Sequence, residues 1–430
     1  MKNKNILKQI YNLISTVNDF YINIFIEEIY ENQIELHLKN QKIKKINVDY
    51  GVRVIIKNNE ETKYKTLSFP NYDEMYYWIV DYIQEATNKN LVLKKGKVTF
   101  KKINNKNIKL SKQKKYKIMS EIIENLTGYD KLKVSFYEKK ENTFIIQNNS
   151  SYILNVKNFY TKIMIKGNIQ DIDVFDFILS DHGYKNIDKI KICNLIKQFK
   201  EISHIKTNKI NISDANYDII LSNNCGTIFH EMLGHNLELD LINKNNSKLF
   251  KKNNFIGNNL ITFIDDSINQ SLLNIRYDDF MNKNNNKILI DDGIVKQYIT
   301  TLRSESYKFF PATRMTNSYL CPNKDALPFY LKKVKNGIYV YKIGSGRLYL
   351  EKQKFKITID VGFLIKDGSI SGCVSDLSFE VDVPTFIKKI KYVGNDLKFV
   401  PTICGASSGN IFAYAGTPTV YVENVFIEQL

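Results

Sequence analysis

The sequence predicts an α+β fold: an N-terminal α/β region followed by a β-rich C-terminal domain in which one helix packs on a sheet. Three observations carry this. Over residues 1–205, apolar residues at helical spacing alternate with runs of two-residue period. Past Asp240 the pattern turns almost wholly to strands joined by Asp-Gly turns. Between the two, a helix beginning near Thr227 carries His230-Glu231-Met232-Leu233-Gly234-His235.

Ile6, Ile10, Leu13, Ile14 and Val17 recur at helical spacing, interrupted by Lys8, Gln9 and Asn12. The spacing predicts an amphipathic first helix and not the apolar core of a secretion signal. Strand-like runs follow at Phe20–Tyr30, Gln33–Leu38 and Gly51–Ile56, then a helix over Asn71–Ala86 entered by Asn71 and Asp73 and carrying the lone Trp78. A Lys/Asn-rich connector, Asn88–Lys115, contains one strand. A helix at Lys117–Thr127, strands at Lys131–Tyr137, Thr143–Gln147, Ser151–Val156 and Tyr160–Ile165, and a helix at Ile187–Ile202 complete an N-terminal region of residues 1–205. The connector would divide it into lobes of about 1–110 and 111–205. In the C-terminal domain, 206–430, Asp218–Leu221 reads as a short buried strand. Ser222-Asn223-Asn224-Cys225-Gly226 is a turn supplying N-caps for the motif helix. Ile288–Val295 is a hairpin with an Asp-Gly turn, and Lys356–Asp360 with Phe363–Ile370 repeats the pattern.

With 430 residues and 43% hydrophobic content, the chain can bury real cores. Its formal charge of +17 comes from lysines spread along the whole length among asparagines and isoleucines. No zinc finger, RNP-like motif or arginine stripe accompanies them, so nucleic-acid binding is not expected, and an acidic protein partner is the more natural use of the charge. The densest runs, Lys94-Lys95-Gly96-Lys97 and Lys112-Gln113-Lys114-Lys115, read as solvated loops. Cys193, Cys225, Cys321, Cys373 and Cys404 are scattered and form no CxxC, which suits a reducing compartment rather than a disulfide framework. No apolar run approaches membrane-spanning length. The expectation is a soluble cytoplasmic protein without membrane contact.

Two of the five histidines bracket a glutamate in the motif, and the chemistry these residue types suit is zinc hydrolysis. Neutral imidazoles bind the metal, the metal acidifies a water, and the neighbouring carboxylate takes its proton. The spacing is not His-Glu-x-x-His. On a regular helix, positions i and i+5 fall about 140° apart. One metal can be reached by both imidazoles only if the helix breaks or widens into a π-type turn, and Gly234 is where the backbone departs from helix at least cost. A third protein ligand is needed; Cys225, Glu238, Asp240 and Cys404 are candidates on chemistry. Gly344-Ser345-Gly346-Arg347 lacks the lysine and helix start of a phosphate loop and reads as a tight β turn. Arg314-Met315-Thr316-Asn317, following Pro311, reads equally as a substrate-facing loop, with Arg314 and Asn317 touching substrate, or as structural.

The stretch Gly226–Asp240 resembles the signature helix of the TldD/PmbA family of metalloproteases. Further matches follow in the family's order: Ile290-Asp291-Asp292-Gly293, Arg314-Met315-Thr316-Asn317-Ser318-Tyr319, Lys335–Tyr339, Val393–Leu397, Ile403-Cys404-Gly405 and Gly416-Thr417-Pro418-Thr419. Because His-Glu-x-x-x-His is present, the chain resembles the catalytic TldD-like subunit rather than its PmbA/TldE-like partner. The resemblance implies one zinc per chain held by His230, His235 and Cys404, with Glu231 as general base assisting attack of zinc-bound water. It implies peptide-bond hydrolysis in unfolded or extended peptides, as leader-peptide trimming or small-protein degradation. It also implies a heterodimer with a PmbA/TldE-like subunit, or a homodimer. The family usually has glycines where Asn236 and Leu239 stand, and their side chains would narrow the cleft. The competing reading is a non-catalytic peptide-binding or partner-supporting subunit with an inert zinc site.

Overall fold

A computed structural model describes residues 2–37, 42–69, 71–92, 98–104, 110–180, 184, 187–245, 249–269, 271–323 and 331–430. The chain begins with α1 (Lys2–Ile14), β1 (Tyr21–His37), β2 (Lys42–Lys57), β3 (Thr62–Ser68), α2 (Tyr72–Thr87) and β4 (Thr99–Asn104). It continues through α3 (Lys112–Glu124), β5 (Lys131–Gln147), β6 (Tyr152–Ile169), β7 (Ile172–Ser180) and α4 (Lys189–Thr207). One sheet runs β3-β2-β1-β5-β6-β4, with β7 also paired to β6. Residues on both sides of the Lys/Asn-rich connector therefore share a sheet, which nonetheless carries two separate apolar cores.

The strands are longer than the sequence suggests. Runs expected as pairs of strands, such as Lys131–Tyr137 with Thr143–Gln147, are single strands of 17 or 18 residues. The polar residues that mimic turns at their midpoints find partners across the sheet or along the same strand instead. Tyr137 donates to Glu31 (2.6 Å), Lys139 pairs with Glu141 (2.6 Å) and Asn142 donates to Glu28 (2.6 Å). The two pairs that join β5 to β1, Tyr137–Glu31 and Asn142–Glu28, stabilise an unbroken ladder. The Lys112–Lys115 run, expected as a loop, opens α3: Ser111 caps it, and Lys115 is buried against Glu138. Lys94–Lys97 lies outside the described residues.

Alternation divides the two faces of this sheet. Ile22, Ile24, Ile26, Ile34 and Leu36 point to the face covered by the helices. Phe25, Glu27, Glu31, Tyr137, Lys139 and Glu141 point the other way, into a cavity of about 450 Å³ facing the second half of the chain.

That half contains β8 (Ala215–Leu221), α5 (Thr227–Phe229), a π turn (His230–Gly234), a 3₁₀ turn (His235–Leu237) and α6 (Leu239–Asn245). Then come β9 (Phe263–Asp266), β10 (Asn286–Asp291), β11 (Ile294–Val295), β12 (Leu302–Arg303), β13 (Ala312–Thr313), β14 (Asn317–Leu320) and β15 (Asn336–Tyr349). The chain ends with β16 (Lys354–Lys366), β17 (Ser369–Asp382), α7 (Val383–Lys389), β18 (Ile390–Val393), β19 (Lys398–Ala406), β20 (Gly409–Thr417) and β21 (Val420–Gln429). Two six-stranded sheets result, β11-β10-β9-β14-β20-β19 and β17-β16-β15-β8-β21-β18. The expected hairpin at Ile288–Val295 is present, with Asp292 and Gly293 both at positive φ. The Gly344–Arg347 turn is not: these residues lie within β15, at a register shift opposite β16. No described helix is long and apolar enough to cross a membrane.

The two halves are bolted together by polar groups. Arg53, fully buried on β2, reaches Asp279 (3.1 Å) and Ser304 (2.8 Å) and lies over the Phe25 ring. Tyr307 packs over Gly51, its hydroxyl meeting Ser68 (2.5 Å) and Asp49 (3.1 Å) and its N–H donating to Glu27 (3.1 Å). A Cβ at Gly51 would lie 2.0 Å from the Tyr307 ring. Gly51→Ala should therefore cost about 1–3 kcal/mol through overpacking, read as a lower urea midpoint. Burial, with the nearby Glu141 charge, pushes the Glu27 carboxyl from 4.5 up to about 8, against the opposing pull of Lys139 and the Tyr307 N–H. The folded state thus holds a proton there that the unfolded chain releases, so stability should fall as pH rises from 4.5 to about 8 and then level off. Glu27→Gln should flatten that decline in urea titrations across the same range; an unchanged slope would disprove it.

Candidate metal centre

The motif segment lies between the two C-terminal sheets, against β15 on one side and β14 and β20 on the other. Ile228, Phe229, Met232 and Leu233 are fully buried in the shared core. The helix starts regularly and widens into the π turn at His230–Gly234. An i to i+5 turn returns His230 and His235 to one side, as their spacing requires, and their ring centroids lie 5.5 Å apart. Gly234 permits the packing: a Cβ there would stand 1.9 Å from the sulfur of buried Met315.

Ligand atoms of His230, His235 and Cys404 all lie within 4.8 Å of one another. The His235 Nε2 is 3.5 Å from the Cys404 sulfur. Each imidazole is held from behind through Nδ1: His230 by Ser318 (2.8 Å), His235 by Glu238 (2.9 Å). The His230 Nε2 is buried without a partner, an orphan that a metal ion would satisfy. Burial alone would raise the Cys404 thiol, but His230 and His235 hold it well below its usual 9.0. Burial would lower His235, yet Glu238 and Cys404 raise it well above 6.5. Two imidazoles and a thiolate are a donor set suited to zinc, and the orphaned nitrogen gives the fit a structural basis.

Glu231 is partly exposed, with a carboxylate oxygen 3.6 Å from His235 Nε2. The β15 register shift brings Gly346 beside it, where a Cβ would stand 3.3 Å from the Glu231 side chain.

Of the other third-ligand candidates, Glu238 stands behind His235, and Asp240 bonds Thr313. Cys225 is buried against the Val340 carbonyl (3.4 Å), its thiol pushed up to about 12 by burial. Arg314 and Asn317 are fully buried and turned inward. Arg314 donates to Ser408 (2.7 Å) and to the carbonyls of Gly409 (2.9 Å) and Cys404, while Asn317 binds the backbone of Asp266 and Leu273. Asn236 also points inward, donating to the Met232 carbonyl (2.8 Å) and accepting from Gln353 (3.1 Å). It closes the widened helix rather than narrowing a cleft. Sequence reasoning did not find Ser318 or Gly346 as site residues, since nothing in their spacing links them to positions 230 and 231.

A family model described as the PmbA/TldA metallopeptidase C-terminal domain matches residues 214–429. A protein named metalloprotease TldD homolog from Buchnera aphidicola is 29% identical over 261 residues, covering 56% of this chain and 53% of that protein. A zinc metalloprotease TldD homolog from Saccharolobus solfataricus is 22% identical over 321 residues, 69% of each. The chain spans about half the length of the first of these relatives. In fold, it is similar to TldE from Thermococcus kodakarensis, with a TM-score of 0.72 at 13% identity over 98% of this chain and 99% of that one. The domain match covers half of the chain and includes the whole of the motif segment and the Cys404 strand, and on that ground the protein belongs to the TldD/PmbA metallopeptidase family.

Proposed function

We propose that this protein is a zinc-dependent metallopeptidase of the catalytic TldD-like kind, hydrolysing peptide bonds in unfolded or extended peptides. The observation that carries the reading is the convergence of His230, His235 and Cys404 around an orphaned imidazole nitrogen. These three residues would hold one zinc. When bound, zinc polarises a peptide carbonyl and brings the pKa of water toward about 7. Glu231 supplies the proton chemistry: its carboxylate takes a proton from the attacking water and returns it to the leaving amine. A purely structural site has no use for such a base, which weighs against an inert, partner-supporting subunit. Leader-peptide trimming or degradation of small proteins, and assembly with a PmbA/TldE-like chain or a second copy, are parts of this proposal that rest on the family resemblance; a cytoplasmic location rests on the scattered cysteines.

Glu231→Gln should retain about one zinc per chain by mass spectrometry while losing peptide cleavage; Cys404→Ser should lose the metal. Cleavage of unfolded peptide by Glu231→Gln would sink the mechanism. Assays need the chain both alone and with a PmbA/TldE-like subunit. Glu238→Gln should weaken zinc about 10–100-fold in chelator competition, because the carboxylate orients His235 and raises its basicity. An unaltered affinity would remove Glu238 from the site.

A further inference from the structure

Cys404 is the least secured of the three ligands. His230 and His235 are fixed by a helix packed between two sheets. Cys404 stands on β19, which among the described strands pairs with β20 alone, near the hairpin turn where Ala406 pairs with Gly409. An edge strand near its turn frays unless it is tied down.

Glu305 holds the turn through its N–H to the Ser408 carbonyl (2.9 Å) and its carboxylate to the Asn410 N–H (2.9 Å), and Arg314 reaches the ligand residue itself. The Arg314 guanidinium, fully buried, spans the hairpin from within: it donates to the Cys404 carbonyl, the Ser408 hydroxyl and the Gly409 carbonyl. The first acceptor belongs to the ligand residue and the others to the turn, so a rigid planar fork sets the strand's position relative to the motif helix. Among the described residues Arg314 forms no ion pair. Its charge acts on Glu238, which stands behind His235, and its fork holds the backbone of Cys404. Arg303, also buried, grips Met315 (3.0 Å) and Phe412 (3.2 Å) through their carbonyls and touches no ligand residue.

We propose that Arg314 is a positioning residue that presents the Cys404 sulfur to the metal, rather than a group that touches substrate. The inference rests on the three-ligand reading of the site. The test is cobalt substitution of the full chain, reading the thiolate-to-cobalt charge-transfer absorption and the affinity by chelator competition.

Arg314→Met should remain folded by circular dichroism, lose most of that absorption, and bind metal about 10–100-fold more weakly. Arg314→Lys, which keeps the charge but not the fork, should fall between. Arg303→Met should lower thermal stability without altering the absorption. If Arg314→Met keeps both absorption and affinity, the role is merely structural and the inference fails. Should that variant not fold, Ser408→Ala decides: removing one acceptor should weaken metal binding about fivefold, the equivalent of one hydrogen bond, and no change overturns the proposal. Wild-type protein lacking the absorption would take Cys404 out of the metal shell, overturning both this inference and the ligand set beneath it. Loss of cleavage alone, with the absorption intact, would count only against the peptidase reading.

Discussion

The π turn at His230–Gly234 is the constraint on which the rest of the site depends. A regular helix would aim the two imidazoles in directions about 140° apart and leave no shared site. Widening by one residue is locally unfavourable, and the surroundings hold it in place. Met315 fills the space above the bare Gly234 backbone, Asn236 takes up the Met232 carbonyl, and Gln353 anchors Asn236 from the β15–β16 connection. The irregularity thus sits where both sheets press on it.

Around this turn, each functional side chain is supported by a second one. Ser318 on β14 and Glu238 beyond the 3₁₀ turn take the Nδ1 atoms, leaving each Nε2 for the shared centre. Glu231 is more open, which suits the proton-carrying role proposed for it, and the β15 register shift gives it room beside Gly346. Farther out, Arg53 and Tyr307 lock the first sheet onto the second half, and the cavity between them is lined with charges already partnered to one another. Ile403 and Ile411, beside and across from Cys404, line that cavity, whereas the three ligand residues do not. The cavity and the metal centre therefore share one hairpin as a wall.

Much of this architecture could be read in the sequence because its causes are local. The helix cap at Asn71, apolar spacing in α1, and Asp-Gly turns act within a few residues. The two histidines, the glutamate between them and the need for a widened turn likewise follow from a six-residue stretch. Strand lengths were less legible: Glu31, Lys139 and Asn142 look like turn formers until their partners on neighbouring strands are known.

By itself, then, the sequence determined the fold class, the metal-suited histidine pair with the carboxylate beside it, and the geometric anomaly that their spacing demands. Only the tertiary structure decided which distant groups complete the site. Cys404 rather than Cys225 meets the imidazoles, Glu238 turns to the back of His235, and Arg314 faces inward toward a carbonyl 90 positions away in sequence. The physical reason is that a side chain's direction and partners depend on which strands pack beside it, and no local pattern encodes contacts between residues so far apart in the chain.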